Sequence, residues 1–96
     1  MSKKSIKESF VEFHKANPAV YFALQKLAAQ MWERGRRRIS IKMLFEVLRW
    51  DYYLSTNDPN SDFKLNNNYT AYYARMLMLN HPEWDGLFQI KKVKGE

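Results

Sequence analysis

The tightest constraint on this chain is the punctuation that brackets residues 18–34, with Asn17-Pro18 on one side and Gly35 on the other. Asparagine is a favoured helix N-cap, and proline suits the first helical position because its missing N–H would have been unpaired there. Glycine is a good stop, since it adopts the left-handed conformation that closes a last turn. Between these marks Val20, Leu24, Leu27, Ala28 and Met31 recur at the spacing of one helical face. The pattern predicts a helix over 18–34 with a buried apolar stripe.

The same reading places the other elements. Ser5-Ile6-Lys7-Glu8 has the form of a capping box, and Ile6, Phe10, Phe13 and His14 follow at helical spacing, so a helix is expected over 6–16. Arg36 to Ser40 is too short for a helix and reads as a brief strand near 36–40. Ser40 then caps a helix over 41–54, with Ile41, Leu44, Phe45, Leu48 and Tyr52 on one face. Residues 55–62 contain Asn57-Asp58-Pro59-Asn60 and read as a loop. A last helix is expected over 67–80 with Asn68 as its cap, ended by His81-Pro82 because a residue before proline is pushed from helical angles. Residues 82–86 read as a turn or a single helical turn. Leu87, Phe88, Ile90 and Val93 suggest a C-terminal strand near 87–93.

Ninety-six residues make one domain, and 46% hydrophobic content is ample for a core. Residues 1–4 and 94–96 are expected to be disordered, and helix 6–16 to be peripheral. There is no cysteine, hence no disulfide and no thiolate site. The two histidines, His14 and His81, lie far apart without metal-site spacing around them. No Ser-His-Asp grouping or paired carboxylates stand out, and three glycines are few for a phosphate cradle. The expectation is a non-enzymatic protein with no cofactor and no metal. Met1-Ser2-Lys3-Lys4 leads into an amphipathic segment, and no apolar run approaches the length of a membrane span, so a cytoplasmic protein is expected.

The fold class expected is mainly α: a compact helical domain whose element order resembles a winged helix-turn-helix. Residues 18–34 would be its first helix, 36–40 its small strand, 41–54 its second helix, 67–80 the recognition helix and 87–94 the wing or what remains of it. Two features depart from that pattern. The loop before residue 67 exceeds the usual three or four residues, and the C-terminal segment has room for one strand only. The runs Phe13-His14-Lys15-Ala16-Asn17-Pro18, Ser40-Ile41-Lys42-Met43-Leu44-Phe45-Glu46 with Arg49-Trp50, and Phe63-Lys64-Leu65-Asn66-Asn67-Asn68-Tyr69 with Tyr73-Ala74-Arg75 resemble a family of small proteins found in bacteriophage and bacterial genomes. The resemblance spans Phe13 to about Phe88. It implies a phage or prophage origin and brings no set of functional residues.

Charge distribution points to a partner. The net charge is +6, and residues 34–49 carry Arg34, Arg36, Arg37, Arg38, Lys42 and Arg49 against Glu46 alone, a local +5. Such a cluster suits phosphates, although cations at a helix C-terminus also complement its dipole. Asn66, Asn67, Thr70 and Arg75 are candidate readers of base edges at the start of the recognition helix, or else Asn66 and Asn67 serve local turns. Tyr69, Tyr73 and Met76 share one helical face and read as core. Tyr72 lies on another face and is a candidate phosphate or partner contact, and Lys91 and Lys92 would flank the groove. Double-stranded DNA is the expected partner. The alternative is a protein-interaction module that docks its basic patch on an acidic host protein surface, anchored by exposed Trp84, Leu87 and Phe88. A helix-turn-helix module often binds as a symmetric homodimer, and helix 6–16 is the spare element to mediate one.

Overall fold

Helix ends leave backbone N–H and C=O groups that must find partners, and the punctuation residues supply them here. The computed structural model describes residues 5–55 and 65–89, the side chains of Tyr53 and Ser55 apart. Within these residues lie α1 (Ile6–Ala16), α2 (Pro18–Glu33), α3 (Ile41–Ser55) and α4 (Thr70–Asn80), with 3₁₀ turns at Asn67–Tyr69 and Pro82–Trp84. The protein is mainly α, and helix boundaries agree with the sequence reading within a few residues. Expectations for residues 1–4, most of the 55–62 loop, and residues 90–96, including Lys91 and Lys92, lie outside the described residues.

Ser5 Oγ accepts the Glu8 N–H at 3.1 Å and caps α1, while Ser40 Oγ accepts the Met43 N–H at 3.3 Å and caps α3. Asn17 behaves differently from the reading above. Its side chain makes no cap bond to α2; Nδ2 donates instead to Phe13 O at 3.0 Å and closes α1. The reason is local. A single residue joins the two helices, and the Val20 N–H is already taken by Asn17 O at 3.1 Å, so the side-chain amide serves the helix behind it. At the far end of α2, Gly35 takes φ +89°, its N–H donates to Trp32 O, and the Arg36 N–H donates to Met31 O. That pair of bonds is a Schellman closure.

The segments expected as strands near 36–40 and 87–93 do meet, but no strand forms among the described residues. Ile39 and Phe88 make one isolated parallel bridge, with the Ile39 N–H donating to Leu87 O at 2.8 Å. Ser40 begins to cap α3 one residue later, so the pairing cannot lengthen there. What the bridge secures is burial, since Ile39, Leu87 and Phe88 are all core residues. The wing of a winged helix is not seen among the described residues.

α2 packs on α3, α3 on α4, and α1 on α2. Leu24 and Ala28 of α2, Phe45 of α3 and Tyr73, Ala74 and Leu77 of α4 are completely buried where these helices meet. Each apolar side chain of Leu or Phe size so buried contributes roughly 1.5–3 kcal/mol. α1 docks through Phe10, whose ring stacks on Tyr72 (centroids 5.1 Å, 19°) and meets Tyr73 edge-on at 4.8 Å and Tyr69 at 5.7 Å. Tyr73 is completely buried, and its hydroxyl has no hydrogen-bond partner among the described residues. Burial, reinforced by neighbouring Tyr69, pushes that phenol well above its ordinary range.

Two outcomes follow from these local facts. A Cβ at Gly35 would meet no atom within 4 Å, so Gly35→Ala pays only the left-handed backbone penalty; urea denaturation should show a loss of about 1 kcal/mol. Tyr73→Phe removes an unsatisfied buried hydroxyl and should raise stability by about 1 kcal/mol at neutral pH. The raised phenol pKa means that the folded state keeps its proton where the unfolded chain loses it. Wild-type stability should therefore be intact below about pH 10 and fall as pH rises beyond it. The Phe variant should show a smaller alkaline decline in the same titration.

Candidate nucleic-acid interface

The corner between α2 and α3 begins at the Schellman turn and ends in the first turn of α3. Arg34, Arg36, Arg38 and Lys42 are exposed along it, and none meets an acidic side chain among the described residues. Arg37 is set apart. Its guanidinium lies 3.7 Å over the Trp32 ring, and Nη1 donates to Trp32 O at 3.0 Å and Arg36 O at 3.1 Å. It therefore completes the end of α2, where a cation is also favoured by the helix dipole. Lys42 has no such structural excuse. It sits in the first turn of α3, where a positive charge opposes the dipole and no acidic residue offsets it.

Arg49, counted with the basic cluster in the sequence, is withdrawn from it. Only 21% of its side chain is exposed. Nη1 donates to Glu46 Oε1 at 2.5 Å, and Nη2 donates to Asn67 Oδ1 at 2.6 Å and to the carbonyl of Leu65. This guanidinium fastens the middle of α3 to the residues that lead into α4. A planar fork with several fixed donors suits a carboxylate, a carbonyl and an amide at once.

The asparagine run is correspondingly occupied. Asn66 Oδ1, not Asn68, accepts the cap bond, from the Asn68 N–H at 2.9 Å. The cap moves upstream because the chain enters α4 through the 3₁₀ turn 67–69. Asn67 Oδ1 is held by Arg49, and Thr70 Oγ1 donates to Asn67 O at 2.9 Å. Thus the candidate base readers Asn66, Asn67 and Thr70 all have bonds within the fold. Tyr72 is half-buried against Phe10, and the Arg75 guanidinium lies 5.9 Å from the Tyr72 ring. From Tyr69 to Met78, no position of the expected recognition helix is fully exposed.

The expected apolar anchors are also corrected. Trp84, Leu87 and Phe88 are 4%, 1% and 3% exposed. Gly86, at φ +80°, turns the chain back so that Leu87 and Phe88 enter the core, while Trp84 stacks on His81 at 4.0 Å. The exposed apolar side chains lie elsewhere. Met43, Trp50 and Leu54 on α3 are 42%, 68% and 70% exposed. Their spacing in the sequence, with Val47 between them, was the signal that could have revealed a second apolar face on that helix.

Among the described residues no group of three or more His, Cys, Asp or Glu side chains could hold a metal ion, and no helix is long and apolar enough to cross a membrane. No protein-family model, curated protein or solved structure matches this chain.

The Arg49 cluster has a measurable weight. Hydrogen bonds to a charged group contribute about 1.5–3 kcal/mol. Arg49→Met should therefore lower the unfolding free energy by about 2 kcal/mol in chemical denaturation. Arg49→Lys should recover only part of it, because a single ammonium lacks the fork.

Proposed function

We propose that this protein is a small, non-enzymatic nucleic-acid-binding module that grips the phosphate backbone of double-stranded DNA with the corner between α2 and α3. The observation that carries this reading is the set Arg34, Arg36, Arg38 and Lys42: four exposed cations between residues 34 and 42, without acidic partners among the described residues. Lys42 adds particular weight, since its place at a helix N-terminus costs stability and so asks for another role. Cations spaced along one corner release counterions from a polyanion together, which makes binding steeply dependent on salt.

The reading differs from a helix-turn-helix in which α4 lies in the groove. Element order supports that likeness, but Asn66, Asn67 and Thr70 bond within the fold and α4 lacks a fully exposed face before Leu79. Backbone contact positions a protein without reading sequence. The expected behaviour is therefore weak discrimination among duplexes.

Binding to random-sequence duplex should be measured over a salt series by fluorescence anisotropy. The double variant Arg36→Ala/Arg38→Ala should weaken binding to every sequence alike and reduce the slope of log K against log salt by about two. Asn67→Ala should leave sequence preference unchanged. Undetectable binding at low salt, or binding indifferent to salt, would overturn the proposal.

A further inference from the structure

The outward face of α3 carries an apolar stripe that no described residue covers. At about 100° per residue, Met43, Val47, Trp50 and Leu54 fall within a narrow arc, opposite the buried Ile41, Leu44 and Phe45. The spacing of four, three and four residues is that of alternating d and a positions in a coiled coil. Trp50 and Leu54 are largely in water, Met43 is 42% exposed, and Val47 is half-buried between them. Exposed apolar side chains gathered on one helix face are the kind of surface that marks an interaction site.

We infer that this stripe is the interface for a second copy of the same chain, with the two α3 helices packed antiparallel about a two-fold axis. The stripe is self-complementary in that orientation: Met43 faces Leu54 of the other copy, and the small Val47 faces the large Trp50. Charge placement selects the same orientation. Glu46 flanks the stripe on one side and Asp51 on the other, both exposed. Parallel packing would set Glu46 against Asp51 of the second copy, a like-charge contact. Antiparallel packing leaves these two at the same level but on opposite flanks, so they do not meet. Each chain carries +6, with cations clustered at the N-terminal end of α3. Antiparallel packing sends the two clusters to opposite ends of the interface. A single helix packed on its copy makes a small interface, of the weak class below about 1,200 Å² in total, so association is expected to be concentration-dependent.

This inference does not rest on the nucleic-acid reading, and salt separates the two. Screening of two positive chains should leave self-association unchanged or stronger as salt rises, whereas phosphate binding weakens. Sedimentation velocity over a concentration series should show the average mass rising towards twice that of the chain. Trp50→Glu and, independently, Leu54→Glu should weaken association more than about 30-fold. Leu79→Glu, on α4 and 79% exposed, should dimerise like wild type. The chain has no cysteine, so orientation can be read directly. An oxidised mixture of Met43→Cys and Leu54→Cys chains should form mixed disulfides in preference to 43–43 or 54–54 links. A wild-type chain that stays monomeric at every concentration overturns the inference and leaves the stripe to a different partner. Dimers unaffected by Trp50→Glu and Leu54→Glu, or a preponderance of 43–43 links, overturn it equally.

Discussion

The guanidinium of Arg49 is the contact that ties the middle of α3 to the residues leading into α4. It reaches from α3 to the carbonyl of Leu65 and the amide of Asn67, with Glu46 on the other arm. A largely buried cation needs every one of those partners, because an unpaired charge away from water is costly. Three consequences follow at once. The positive cluster of the sequence loses one member, the asparagine run becomes part of the scaffold, and the rotation of α3 relative to α4 is set.

That rotation divides α3 into surfaces of different chemistry. Ile41, Leu44 and Phe45 face the core, and Arg49 closes the side towards α4. Lys42 then belongs to the cationic corner with Arg34, Arg36 and Arg38, while Met43, Trp50 and Leu54 are left facing water. The corner and the stripe are neighbours, but their physics is opposite: one is weakened by salt and indifferent to shape, the other indifferent to salt and dependent on packing. On the readings proposed above, the corner would meet a polyanion and the stripe an apolar partner. Antiparallel pairing through the stripe would place a cationic corner at each end of the assembly.

The helices were legible because their causes are local. Ser5 and Ser40 satisfy N–H groups three residues away, and the turn at Gly35 closes α2 with the Gly35 N–H on Trp32 O and the Arg36 N–H on Met31 O. The inner stripe of α3 and the core positions Tyr69 and Tyr73 follow from periodicity alone, since a 3.6-residue repeat brings them to one face. The strands were less legible. Leu87 and Phe88 looked like the start of a ladder, yet their apolar side chains serve a single bridge to Ile39 and the core beneath it. Burial and strand pairing favour the same residue types, so composition could not separate them.

Sequence alone determined that this chain is a small, basic, mainly helical domain with helices close to those observed, because caps and periodicity act within one or two turns. Tertiary structure decided which polar groups serve the fold and which apolar groups remain outside it. Arg49 finds partners sixteen and eighteen residues away. Trp84, Leu87 and Phe88 are buried while Met43, Trp50 and Leu54 are not. Both outcomes depend on how helices distant in the chain are set against one another, and no local rule of spacing contains that information.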